Sequence, residues 1–247
     1  MNKKFVSLLT LSLMQQAQAN KPIILWDIHN VLISRCGVVP TFWSYPDWWN
    51  TVKNSSLGLI IDLIGLTTKH LVSGISSEQF IQKARVHNNP YLEKLIIQLT
   101  NAQQPILGMK EITDELYERG CEQHIASNIG KTPFIALIDP TQFPHLSPLF
   151  EHMNIEKSLM VSDDNGNFVK KPDPQFFRTY LAKNNLDPQT QPIIFVDDNA
   201  KNVKSAQEVG IDAILFKNPE QLRGELQKRN VLMPQTDQAY TQETIQP

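Results

Sequence analysis

The stretch Ile23-Ile24-Leu25-Trp26-Asp27-Ile28-His29-Asn30-Val31-Leu32 constrains this chain more than any other, because an apolar run meets a carboxylate abruptly and then turns. The run is short, rich in β-branched residues and preceded by Pro22, the pattern of a strand buried on both faces of a parallel sheet. Ligands of open parallel sheets bind beyond the carboxyl ends of the strands, which makes Asp27 a candidate functional residue. Taken alone, the segment is equally consistent with Asp27 capping a strand-to-helix turn.

The second half of the chain repeats this pattern. Gln123-His124-Ile125-Ala126 is a short apolar strand that ends in Ser127 and Asn128. A third candidate strand, residues 157–161, is followed by a turn-rich stretch and then by Lys170-Lys171-Pro172-Asp173-Pro174. Asp173 and Pro174 suit the cap and first turn of a helix carrying Phe176, Phe177, Tyr180 and Leu181, which puts the lysines at its mouth. Of the two, the spacing to Pro172 favours Lys171, with Lys170 as the alternative.

Residues 192–196 form the most hydrophobic strand and end in Asp197-Asp198-Asn199. Adjacent carboxylates at the end of a buried strand repel one another unless a cation lies between them and another acid. A helix with Val203, Ala206 and Val209 inward follows, ended by Gly210; residues 212–216 give a fifth strand and 219–229 a last helix. Upstream, residues 108–119 predict a helix with Met109, Ile112 and Leu116 on one face and Gly120 as its left-handed cap.

Between the first and second strands lie nearly 90 residues without another strand-turn-helix signature. Residues 57–66, 78–84 and 91–99 carry apolar side chains at helical spacing, so residues 37–107 are expected to be a helical insert. Phe42, Trp43, Tyr45, Trp48 and Trp49 at its front edge are expected to pack within the insert or at its seam, rather than to form a ligand platform.

The predicted fold class is α/β: a Rossmann-like, three-layer parallel sheet core, residues 20–36 and 108–230, with an inserted helical domain. Residues 231–247 are polar and aperiodic and are expected to be a disordered tail. Asn2-Lys3-Lys4, an apolar stretch to Met14 and Ala17-Gln18-Ala19 have the layout of a signal peptide cleaved near Ala19, predicting an exported, periplasmic or secreted protein. The apolar stretch is shorter than the roughly 20 residues a membrane span requires. With 25 acidic and 23 basic residues the chain shows no electrostatic footprint for nucleic acid. Cys36 and Cys121 match no zinc spacing and are too few for a disulfide framework. His70, His87, His124, His145 and His152 show no metal spacing either and are expected to be structural or solvated.

Asp27, Ser127, Lys171 and Asp197 or Asp198 would gather at one sheet edge. They form an inventory suited to phosphoryl transfer: a carboxylate nucleophile, donors for phosphoryl oxygens, a fixed cation and acids for Mg²⁺. In this order the four motifs resemble the haloacid dehalogenase superfamily, over essentially the whole chain from Asn20 to about Arg229. The position of the insert resembles the subgroup with a helical cap, which includes β-phosphoglucomutase-like and glucose-1-phosphatase-like enzymes. The stretch Phe195-Val196-Asp197-Asp198-Asn199-Ala200-Lys201-Asn202 is similar to the sugar-phosphatase branch.

The resemblance implies that Asp27 attacks phosphorus to give an aspartyl-phosphate, with a small phosphomonoester as substrate. Ser127 and Asn128 would hold phosphoryl oxygens and Lys171 would neutralise Asp27. Mg²⁺ would be bound by Asp27, the backbone carbonyl of His29, and Asp197 or Asp198. One departure stands out: the family's phosphatases usually carry a second Asp where this chain has His29. Imidazole can donate and accept a proton near neutral pH, so His29 is a candidate for both steps. Two other expectations stay open, a dehalogenase-type hydrolase attacking carbon and a non-catalytic exported binding protein.

Overall fold

The computed structural model describes residues 21–34, 44–53, 91, 94–95, 98, 101–161 and 169–233. Seven strands, six helices and one 3₁₀ turn are defined among them. The strands are β1 (Ile23–Trp26), β2 (Ile33–Ser34), β3 (Gln104–Pro105), β4 (Gln123–Ser127), β5 (Leu159–Met160), β6 (Ile193–Asp197) and β7 (Asp212–Leu215). The helices are α1 (Trp48–Lys53), α2 (Met109–Glu118), α3 (Lys131–Ile138), α4 (Pro174–Asn184), α5 (Ala200–Gln207) and α6 (Pro219–Lys228), with the 3₁₀ turn at Ser147–Phe150.

Five strands form one parallel sheet in the order β5-β4-β1-β6-β7. The chain moves outward from β1 through β4 to β5 and returns to β1's other side with β6, so its winding reverses beside β1. Ligand crevices in parallel sheets open at such a reversal. Side chains alternate with period two. Ile24, Trp26, Ile125, Ile194, Val196 and Ile214 face one core, filled by Met109, Ile112 and Leu116 of α2 together with Phe134 of α3 and Leu222 and Leu226 of α6. Ile23, Leu25, Ala126, Ile193, Phe195 and Ala213 face the other, filled by Phe176, Phe177 and Tyr180 of α4 and by Val203 and Ala206 of α5. Helices on both faces make three layers, as the apolar runs predict.

The caps match their residue types. Asp173 accepts a hydrogen bond from the Gln175 N–H at the start of α4, and Gly120 and Gly210 close their helices with φ of 73° and 85°. Past α6 the fold departs from expectation. Asn230 turns left-handed and the N–H groups of Val231 and Leu232 return to the Leu226 carbonyl, burying both side chains. The core therefore extends at least to Leu232, two residues into the predicted tail, because this turn brings an apolar pair back onto α6.

The insert leaves through β2 and returns through β3, which pair antiparallel (Ile33 with Pro105, Ser34 with Gln104). The expected helices at 57–66 and 78–84 lie outside the described residues, as do Phe42, Trp43, Cys36, His70 and His87. Positions 91, 94, 95 and 98 are helical. Tyr45 packs as expected, its hydroxyl donating to the Tyr91 carbonyl at 2.8 Å, whereas Trp49 is 71% exposed. Among the described residues no helix is long and apolar enough to cross a membrane.

His124 on β4 is fully buried, as a structural histidine should be. Its Nδ1 lies 2.6 Å from the Tyr180 hydroxyl, and its Nε2 lies 3.1 Å from Glu122 Oε1 but off hydrogen-bonding angle. Burial lowers the imidazole's pKa below the ordinary 6.5, with Glu122 opposing and Lys157 and Lys183 assisting. The unfolded chain thus takes up a proton below about pH 6.5 that the folded imidazole refuses until lower pH, so stability is full above that value and falls with acidification. His124→Gln should flatten the fall in denaturant midpoint between about pH 7 and pH 5.5. Equal falls in both proteins would show that His124 is not its source.

Candidate active site

Each predicted motif ends a strand of the central sheet or follows one. Asp27 comes directly after β1, and its N–H donates to the Val196 carbonyl of β6, which fixes the carboxylate at the mouth of the β1–β6 reversal. Asp197 is the last residue of β6 and fully buried; Asp198 follows, half-buried. Ser127 closes β4, almost fully buried, two residues past Ile125, which pairs with Trp26.

Lys171 joins these elements. Its ammonium lies 2.9 Å from Asp27 Oδ1 and 2.6 Å from Asp197 Oδ2, with the side chain 1% exposed, and it sits 5.1 Å from the centre of the Phe195 ring. Lys170 makes no such contact, which decides between the two lysines. The Lys171–Pro172 peptide is cis. Asn128 grips the lysine's main chain at both ends: its Nδ2 donates to the Lys171 carbonyl and its Oδ1 accepts from the Lys171 N–H, each at 2.9 Å. The Asn128 carboxamide therefore positions Lys171. Its Nδ2 carries a second hydrogen beyond the one given to the Lys171 carbonyl, so holding the lysine leaves a donor for a phosphoryl oxygen.

The two adjacent acids are held differently. Asp197 Oδ1 accepts from the Asn199 N–H at 2.8 Å and from Asn202 Nδ2 at 3.0 Å, while Oδ2 accepts from Asn202 Nδ2 at 2.9 Å and from Lys171. Burial pushes the Asp197 carboxyl above its usual range; Lys171 pulls it down, and the Asp27 charge pushes it up again. Asp198 receives one bond, from Asn30 Nδ2 to Oδ2 at 2.9 Å. Asp27, Asp197 and Asp198 each offer one carboxylate oxygen, and the three atoms lie within 4.8 Å of one another. An all-oxygen donor set of this kind fits a hard divalent cation such as Mg²⁺. The His29 imidazole stands outside that cluster; the residue is half-buried in the turn and bridges to Ile33.

Three asparagines with structural parts in the site, Asn30, Asn199 and Asn202, have no role assigned by sequence reasoning. For Asn199 the signal was present, since Asn directly before a helical run is a common N-cap, and its side chain does accept from the Lys201 N–H. Asn202 lies one turn into α5, where the helix brings it back over Asp197. Asn30 could be found only as an Asn in a tight turn after a strand, a position that favours the left-handed conformation.

Residues 50–216, more than half of the chain, match the family model of haloacid dehalogenase-like hydrolases. That stretch begins beyond Asp27, whose place in the site therefore rests on the geometry above. Similar solved structures include a HAD-like family hydrolase from Porphyromonas gingivalis (17% identical, covering 86% of this chain and 98% of that one, TM-score 0.56). A magnesium complex of a HAD family enzyme from Bacteroides thetaiotaomicron is 18% identical (84% and 98% covered, TM-score 0.54). A HAD family hydrolase from Deinococcus radiodurans, with bound phosphate and sodium, is 16% identical (87% and 99% covered, TM-score 0.51). At these identities the likeness is one of fold. A curated relative, the drimenol cyclase drtB of Aspergillus calidoustus, is 38% identical over 58 residues, which are 24% of this chain and 11% of that protein. Through the family match and the shared sheet architecture, the chain belongs to the haloacid dehalogenase-like hydrolases.

Proposed function

We propose that this hydrolase is a Mg²⁺-dependent phosphatase of small phosphomonoesters that works through an aspartyl-phosphate on Asp27. The observation that carries the proposal is the Lys171 ammonium seated between Asp27 and Asp197 beside a third carboxylate. A nucleophile, a fixed cation and hard oxygen ligands then share one strand edge, the set that phosphoryl transfer calls for. The phosphate bound by the Deinococcus radiodurans relative and the magnesium bound by the Bacteroides thetaiotaomicron one support the same chemistry.

In this mechanism an Asp27 oxygen attacks phosphorus, the P–O ester bond breaks, and the leaving alkoxide takes a proton from His29. The His29 imidazole then accepts a proton from water as that water attacks the aspartyl-phosphate, which regenerates Asp27 and releases phosphate. The Ser127 hydroxyl donates to a phosphoryl oxygen, and Lys171 offsets the charge of Asp27 and of the transferring group. Of the three clustered acids, Asp27 and Asp198, with the backbone carbonyl of His29, would hold Mg²⁺; Asp197, whose oxygens already accept from Lys171, Asn199 and Asn202, anchors Lys171. When bound, Mg²⁺ supplies positive charge that lets an anionic nucleophile approach an anionic ester. The insert, residues 37–107, serves as a cap that selects the leaving group, and residues 1–19 direct export.

The test is hydrolysis of a generic aryl phosphate with Mg²⁺ or with EDTA, for the wild type and for His29→Asp. Turnover by the wild type that EDTA abolishes is expected. Turnover indifferent to chelator would point to attack on carbon. A silent wild type with an active His29→Asp would mean an intact site lacking its proton donor, and a binding role would replace the catalytic one.

A further inference from the structure

Asn30 is held at three points. Its backbone is left-handed at φ 62°, its N–H donates to the Ile33 carbonyl at 2.7 Å, and its side-chain Nδ2 donates to Asp198 Oδ2 at 2.9 Å. Few residue types tolerate that φ; Gly, Asn and Asp do. Glycine would satisfy the turn but hold nothing, and aspartate would set a second carboxylate against Asp198. Among the described residues no other hydrogen bond reaches the Asp198 carboxylate, in contrast to the four drawn to Asp197. The rotation of Asp198 is thus set by one amide, whose own position is pinned by the turn that follows the nucleophile.

We propose that Asn30 is a positioning residue that holds Asp198 in its metal-binding orientation and thereby sets the affinity of the site for Mg²⁺. The proposal rests on the phosphatase mechanism above, in which Asp198 is a direct ligand. Groups that orient a ligating carboxylate typically contribute 10–100-fold to metal affinity, although they never touch the ion. A neutral amide suits the task because it fixes one oxygen without drawing off the negative charge the cation needs.

Isothermal titration of Mg²⁺ into the full chain tests this, with wild type, Asn30→Gly and Asn185→Gly compared. Asn185 is also left-handed, at φ 57°, but it closes α4 and touches none of the three acids, so its replacement repeats the backbone change without the amide–carboxylate bond. Asn30→Gly should weaken Mg²⁺ binding about 10–100-fold while the melting temperature in EDTA stays close to that of the wild type. Asn185→Gly should bind as the wild type does. A dissociation constant for Asn30→Gly within about twofold of wild type would overturn the positioning role and leave the phosphatase mechanism standing. A wild type that takes up no Mg²⁺ would overturn both.

Discussion

Asp27→Asn should abolish hydrolysis of an aryl phosphate and leave the fold in place. The amide is isosteric with the carboxylate but a poor nucleophile, so kcat should fall by about 10³-fold or more, roughly 4 kcal/mol of barrier. The fold should tolerate the change because Asp27 shares Lys171 with Asp197: removing one of two acids beside one ammonium leaves a neutral buried pair. The melting temperature should therefore hold within a few degrees. Acid-quenched wild type should carry a hydroxylamine-labile phosphoryl group that Asp27→Asn lacks. A variant that kept its rate within about tenfold of the wild type would remove Asp27 as the nucleophile.

How much of this was legible beforehand depended on the range of the interaction. β1 and β6 were plain because strands buried on both faces must be continuously apolar, and Asp27 and Asp197 stood out as charges where such runs stop. The cap of α4 was read because Asp173 bonds to its own next turn; Asn199 does the same at α5, so its signal was local too, though it was given no role. By contrast, α3 was missed: it opens at Lys131 without a side-chain cap, and the run Phe134-Ile135-Ala136-Leu137-Ile138 has no amphipathic period to betray a helix. The β2–β3 stem was missed because two-residue strands about 70 positions apart leave no local pattern. The same holds within the site. The lysine could be chosen from its spacing to Pro172, but which acid anchors it and what Asn30 and Asn128 grip are fixed by contacts between distant segments. An isolated Asn looks alike in each of those roles until the sheet order brings its partner to it.

Lys171→Met should be the most destabilising single change in the site. Methionine matches the lysine in length and can lie along Phe195, so little packing is lost. What disappears is the only ammonium bonded to Asp27 and Asp197 among the described residues, at 2.9 and 2.6 Å. Breaking a buried pair from one side strands a charge, typically at a cost of about 3–5 kcal/mol, and here it leaves two acids facing one another. For a chain of this size that amounts to a fall in melting temperature of roughly 10 °C, measured in EDTA. Asn199 and Asn202 still donate to Asp197, which holds that acid in place and keeps the repulsion aimed at Asp27. Adding Mg²⁺ should then raise the variant's melting temperature more than the wild type's, because the variant has repulsion left for a cation to relieve. Asp197→Asn in the same chain should recover much of the loss, so the two changes will not add. A variant that melts with the wild type in EDTA would mean that solvent already screens the acids, and Lys171 would act on the transferring group alone.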